Sequence, residues 1–174
     1  MDWAKAKTIL IVVLLVFCLI LTGVLVARDV KAIKQLSENK KASIAYLESI
    51  GVTINAEVPI KRIKLPVLFV ECNSQHENEA DLSYKKYIVY TNDSSSACYQ
   101  ITAEGERKAE IMPASSAIVE ATSRFGSQEF VIEKIELCYY IDNDSFGISD
   151  GSSDTAFPAW RVESSAGTCY VLAY

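Results

Sequence analysis

The sequence predicts an α+β protein: one N-terminal transmembrane helix, then an antiparallel β-sheet domain with helices packed on one face. Three observations predict it. Residues 9–27 are an uncharged run of 19, and residues 114–125 carry apolar side chains at helical spacing. The remaining segments alternate with period two or are rich in β-branched and aromatic residues.

A bilayer core needs roughly 20 apolar helical residues at a rise of about 1.5 Å each, so the run over 9–27 is long enough to span it. A cleaved signal has a shorter apolar core, about 7–15 residues, ending in a small-x-small site. Here Leu25 stands two positions before Ala27, and Leu15-Val16-Phe17 precedes Cys18 where a lipoprotein signal would need small residues. The run therefore reads as a retained anchor. The expected organisation is a tail over 1–8, the span over 9–27, a juxtamembrane helix over 28–50 and a folded domain over 51–174.

The juxtamembrane helix carries Val30, Ile33, Leu36, Ile44, Leu47 and Ile50, interrupted by Lys40 and Lys41, and Gly51 supplies its stop. Its first half reads as a solvated stalk and its second half as packed on the domain. Val52, Ile54, Ala56 and Val58 then alternate with polar residues, which predicts a half-buried strand ending at Pro59. A second strand is expected over 66–72, and a polar loop over 75–81. Residues 84–91 and 97–102 read as a hairpin joined by Asn92-Asp93-Ser94-Ser95-Ser96. After Pro113 the helix over 114–125 ends at Gly126. A long strand over 130–141 places Val131, Ile135, Leu137, Tyr139 and Ile141 on one parity, and strands over 157–163 and 168–174 flank the turn Ser164-Ser165-Ala166-Gly167.

Beyond the tail there are 15 basic and 21 acidic residues, a net charge of about −6. That sign repels phosphate backbones, and no basic stripe with interleaved aromatics is present, so no nucleic-acid partner is expected. Flanking the span, Lys5 and Lys7 precede it while Arg28, Lys31, Lys34, Lys40 and Lys41 follow. The positive-inside bias alone would put the domain in the cytoplasm, although long translocated domains escape that bias.

Four cysteines lie outside the span: Cys72, Cys98, Cys138 and Cys169. An even number permits two disulfides in an oxidising setting, and Cys138 with Cys169 is the expected pair. Buried free thiols are the alternative. The wide spacing offers no close pair for zinc. No catalytic constellation and no cofactor are expected: the only histidine, His76, sits in a polar loop, and there is neither a phosphate loop nor a nucleophile elbow. The acidic loop places Asp142, Asp144 and Gly147 as a calcium loop would, but Phe146 and Ser153 stand where ligands are needed, so no metal is expected. Within the span, Gly23 and Ala27 make a small-xxx-small pair, and Cys18 and Thr22 read as extending it into a ridge for a partner helix.

Met1-Asp2-Trp3-Ala4-Lys5-Ala6-Lys7-Thr8-Ile9-Leu10-Ile11 resembles the start of the YycI family, membrane-anchored auxiliary regulators of a two-component system of Gram-positive bacteria. The closing Phe157-Pro158-Ala159-Trp160-Arg161-Val162, a turn, and Cys169-Tyr170-Val171-Leu172-Ala173-Tyr174 are similar to the Pro-x-Trp-Arg-Val hairpin that ends YycI and YycH proteins. The resemblance implies a cytoplasmic N-terminus, an extracytoplasmic α+β domain at the cell membrane, no catalysis, and control of a sensor histidine kinase, with a YycH-like co-regulator as a further partner. Adjacent strand residues face opposite ways. Trp160, beside Pro158, is thus expected in the core, and Arg161 on the other face in an ion pair or a partner contact. The alternative function is a cell-envelope binding module that captures a ligand or peptide on an exposed sheet edge.

Overall fold

The structure, a computed structural model, describes residues 3–72, 82–91, 99–126, 129–141 and 154–174. It is α+β, and it divides into two compact units, Met1–Glu38 and Asn39–Tyr174. One helix, α1 (Trp3–Ser49), contains both the predicted span and the predicted juxtamembrane helix without a break. No proline interrupts it. The chain turns only at Gly51, whose φ of 87° is left-handed backbone that glycine adopts without strain. The apolar part of α1 is long and apolar enough to cross a membrane, and none of it is buried within the protein. The last turns of α1 belong to the second unit: Leu47 is fully buried in its core, and Lys40 Nζ donates to the Val58 carbonyl at 2.7 Å.

The sheet is built on two long antiparallel strands, β6 (Val131–Ile141) and β7 (Asp154–Ser164). Each has a divided outer edge. Along β7, β2 (Lys64–Cys72) pairs with the start and β8 (Gly167–Leu172) with the end. Pro158 stands at the handover between them, where its missing N–H costs no ladder bond, while its carbonyl accepts from Ala173 N at 2.9 Å. Along β6, β1 (Thr53–Ile54) pairs at one end and β4 (Tyr87–Thr91) at the other, both parallel to it. The sheet is therefore mixed, where an antiparallel one was expected.

The expected hairpin of 84–91 with 97–102 is replaced by two other pairings. Tyr84 and Tyr87 close a tight turn between β3 (Ser83–Tyr84) and β4, with Lys85 left-handed at φ 58°. The following strand, β5 (Tyr99–Glu110), pairs antiparallel with β2. A polar connection such as Asn92–Ser96 permits a hairpin but does not dictate one. Pairing follows the core instead, where Val89 is buried beside the fully buried Tyr139. Charged Glu104, Glu106, Arg107, Lys108 and Glu110 run along β5, the sheet's outer strand, and discourage edge-to-edge association there.

Of the strand expected over 52–58, only Thr53–Ile54 forms a ladder, yet Val52 and Val58 are buried and the alternation survives as a burial pattern. A register shift between Ile132 and Lys134 turns Ile132 inward, so Val131 is not on the core parity. Helix α2 (Ala114–Phe125) lies where the spacing predicts. It follows Pro113, ends at Gly126, and buries Ala114, Ala117, Ile118 and Ala121 in the core cluster shared with Trp160, Val162 and Val171.

Candidate functional site

Cross-strand partners share a face of a sheet. On β7, Ala156, Trp160 and Val162 face the α2 side and are buried, while Phe157, Arg161 and Glu163 face the other way and are only partly covered. Trp160 is therefore a core residue, as expected, and its Nε1 donates to the Met112 carbonyl at 2.8 Å. Opposite Arg161 stand Glu136 on β6 and Tyr170 on β8.

These residues form a charged and aromatic cluster on the outward face. Arg161 Nη1 donates to Glu136 Oε1 at 2.8 Å and also pairs with Glu163. Lys134 Nζ reaches Glu136 Oε2 at 2.7 Å and Glu163 Oε1 at 3.7 Å. Tyr90 donates to Glu136 Oε1 at 2.9 Å, and the guanidinium lies over its ring, 4.8 Å from the centroid. Tyr140 and Tyr170 stack beside it at 4.2 Å. Two carboxylates thus meet two cations. The Nε of Arg161 is left buried with no acceptor among the described residues.

The surroundings of each group set its charge state. Burial alone would raise the Glu136 carboxyl, but hydrogen bonds from Lys134, Arg161 and Tyr90 outweigh it and hold it below the usual carboxylate range. Burial and the bond to Glu136 push the Tyr90 hydroxyl up to about 12. Burial would lower Arg161, but its bond to Glu136 raises it overall. Every shift favours the charge state already present at pH 7, and none of the three moves a pKa toward 7, where general acid–base work is most effective. The cluster holds Arg161 in an ion network with its side chain 21% exposed.

The expected Cys138–Cys169 disulfide does not form; both thiols are free. Cys138 stands opposite Ala159, and Cys169 opposite Val162. Ala159 and Val162 differ in parity on β7, so the two thiols lie on opposite faces of the sheet with a whole strand between them. A bridge needs Cα atoms within about 7 Å, less than the roughly 9.5 Å spanned by two strand spacings. Cys98 and the side chain of Cys72 lie outside the described residues, as do His76, the predicted polar loop and the acidic loop from Asp142 to Ser153. Burial pushes the Cys138 thiol up to about 12, so it is expected to resist alkylation in the native protein at pH 8. Mass spectrometry after a short iodoacetamide pulse checks this, with rapid native labelling of Cys138 as the contrary result.

In the span, Thr22 donates back to the Cys18 carbonyl at 2.8 Å, and a side chain at Gly23 would meet nothing within 4 Å. The four small residues make two pairs in place of one ridge. At about 100° per residue, Cys18 and Thr22 share one side, and Gly23 and Ala27 share another, roughly 140° away. No metal-binding group of three His, Cys, Asp or Glu side chains occurs among the described residues.

No protein-family model and no curated protein matches this chain.

Proposed function

We propose that this protein is a non-enzymatic, membrane-anchored regulator of a two-component sensor histidine kinase, with its sheet domain outside the cell. The observation that carries the reading is where the two family-like segments fall. The first runs into the apolar helix that can cross a membrane. The second forms the β7–β8 ladder, with Pro158 and Trp160 turned to the core and Arg161 to the outward face. A span with Gly23 and Ala27 on one side admits close approach of another helix, a main source of association in lipid.

Two measurements test this. Alkaline phosphatase fused after Tyr174 should be active, since it works only when exported. The tagged full chain, solubilised from its own host, should co-purify a sensor kinase, and Gly23→Ile with Ala27→Ile should weaken that association several-fold. An inactive phosphatase fusion beside a fluorescent cytoplasmic one rejects the orientation. Absence of any kinase, together with unchanged target-gene output in a deletion strain, rejects the function.

A further inference from the structure

The two divided edges of the central strand pair are not alike. On β7 the handover from β2 to β8 is nearly continuous, since pairing to β2 extends to Ala156 and pairing to β8 begins by Ala159. On β6 the pairing to β1 ends at Ile132 and the pairing to β4 begins only at Tyr139. Between them, no strand among the described residues pairs with this edge. The stretch spans roughly 20 Å at about 3.3 Å per residue.

The ladder fixes which main-chain groups face this opening. The Pro158 carbonyl bonds toward β8, so by alternation Ala159 and Arg161 bond toward β6, to Cys138 and Glu136. The N–H and C=O groups of Ile135 and Leu137 are therefore turned away from β7, to the edge that has no ladder partner among the described residues. A cavity of about 290 Å³ lies there, with Ile135, Leu137 and Trp160 among its apolar walls and Pro59 and Ile88 at its sides. Ile88, with 37% of its surface exposed, adds apolar area beside it.

The charge at the rim is opposite to that of the chain. The protein carries a net −5, yet Lys61 and Lys86 line this cavity, and neither has an acidic partner among the described residues. The acidic lining residue, Glu136, is already neutralised by Lys134 and Arg161. Main-chain groups without a ladder partner, an apolar wall and two cations without acidic partners, Lys61 and a Lys86 that lies 5.3 Å over the Tyr87 ring, are what an extended acidic peptide requires: backbone bonds for affinity, a pocket for alternate side chains, and a complementary charge.

We infer that the β6 edge between β1 and β4 is a docking site for an extended, acidic peptide segment of a partner protein, which adds as a strand on Ile135 and Leu137 between Lys61 and Lys86. This site is independent of the kinase reading.

The probe is a fluorescent octapeptide of alternating glutamate and valine, titrated against the full chain in neutral detergent micelles, with a lysine–valine octapeptide as control. Saturable binding of the acidic peptide alone is expected, weakened at least tenfold by Lys61→Glu with Lys86→Glu. Hydrogen exchange read residue by residue should show the Ile135 and Leu137 amides exchanging in the free chain and protected at least tenfold by the peptide. Both reversals are at the surface, so folding is retained; unchanged circular dichroism verifies that. Binding that ignores the double reversal, equal binding of the basic peptide, or amides already protected in a monomeric free chain would overturn the inference. Dimerisation without peptide that is abolished by the same reversals would assign the edge to a second copy and overturn it too. Failure of kinase co-purification bears on none of these readouts.

Discussion

Trp160→Ala is expected to remove about 3–5 kcal/mol of stability from the sheet domain. The indole is buried on the α2 side of β7, in one cluster with Ile118, Val162 and Val171, and truncation leaves a cavity that a sheet anchored on both sides cannot close. The Met112 carbonyl also loses its donor, because Trp160 Nε1 bonds it at 2.8 Å. Small domains are stable by only about 5–15 kcal/mol, so the loss consumes much of the total. Urea unfolding followed by circular dichroism, with the full chain in micelles, measures it. Trp160→Phe keeps most of the volume and should cost less than half as much. Equal, small losses for both variants would show that Trp160 is not a keystone of this core.

Arg161→Ala is expected to cost about 2 kcal/mol, mainly through the loss of charge-assisted bonds to Glu136 and Glu163. All three side chains are less than a third exposed, so solvent screens them only in part. The pH dependence separates an electrostatic role from lost packing. Glu136 has a folded pKa below its unfolded value of about 4.3. Between those two values the unfolded chain holds more protons, so stability rises with pH there. The contribution is complete above the unfolded pKa and is lost as pH falls through the folded one. In Arg161→Ala the Glu136 carboxyl loses one of its donors and moves back toward its ordinary value. The difference between wild type and variant should therefore shrink as pH drops below about 4. Glu136→Gln should remove most of that dependence. A difference that is constant from pH 7 to pH 3 would mean Arg161 acts by packing alone.

Much of this architecture is legible in the sequence because it depends on local chemistry. An uncharged run over 9–27 can satisfy its backbone in lipid only as a helix. The spacing of Ala114, Ala117, Ile118 and Ala121 makes one apolar stripe, and Gly51 and Gly126 end their helices where φ is 87°. Alternation likewise separates Trp160 from Arg161, because neighbouring strand residues must face opposite ways. These features need no knowledge of what lies across the chain.

The tertiary structure alone decided the partners. Tyr87–Thr91 could have paired with the next strand in sequence; burial of Val89 beside Tyr139 placed it parallel to β6 instead. Cys138 and Cys169 both lie on strands of the second half, but the register puts them on opposite faces with β7 between. Alternation alone puts Glu163 on the Arg161 face of β7, but Glu136 and Tyr90 join that ion network only once β6 and β4 are aligned beside it. The open stretch of β6 is the plainest case. Ile135 and Leu137 look like ordinary core-strand residues, and it is the end of β1 at Ile54 and the pairing of β4 only from Tyr139 onward that leave them without a ladder partner on this edge among the described residues. Periodicity encodes which face a residue takes, while pairing depends on contacts distant in sequence, which no local pattern records.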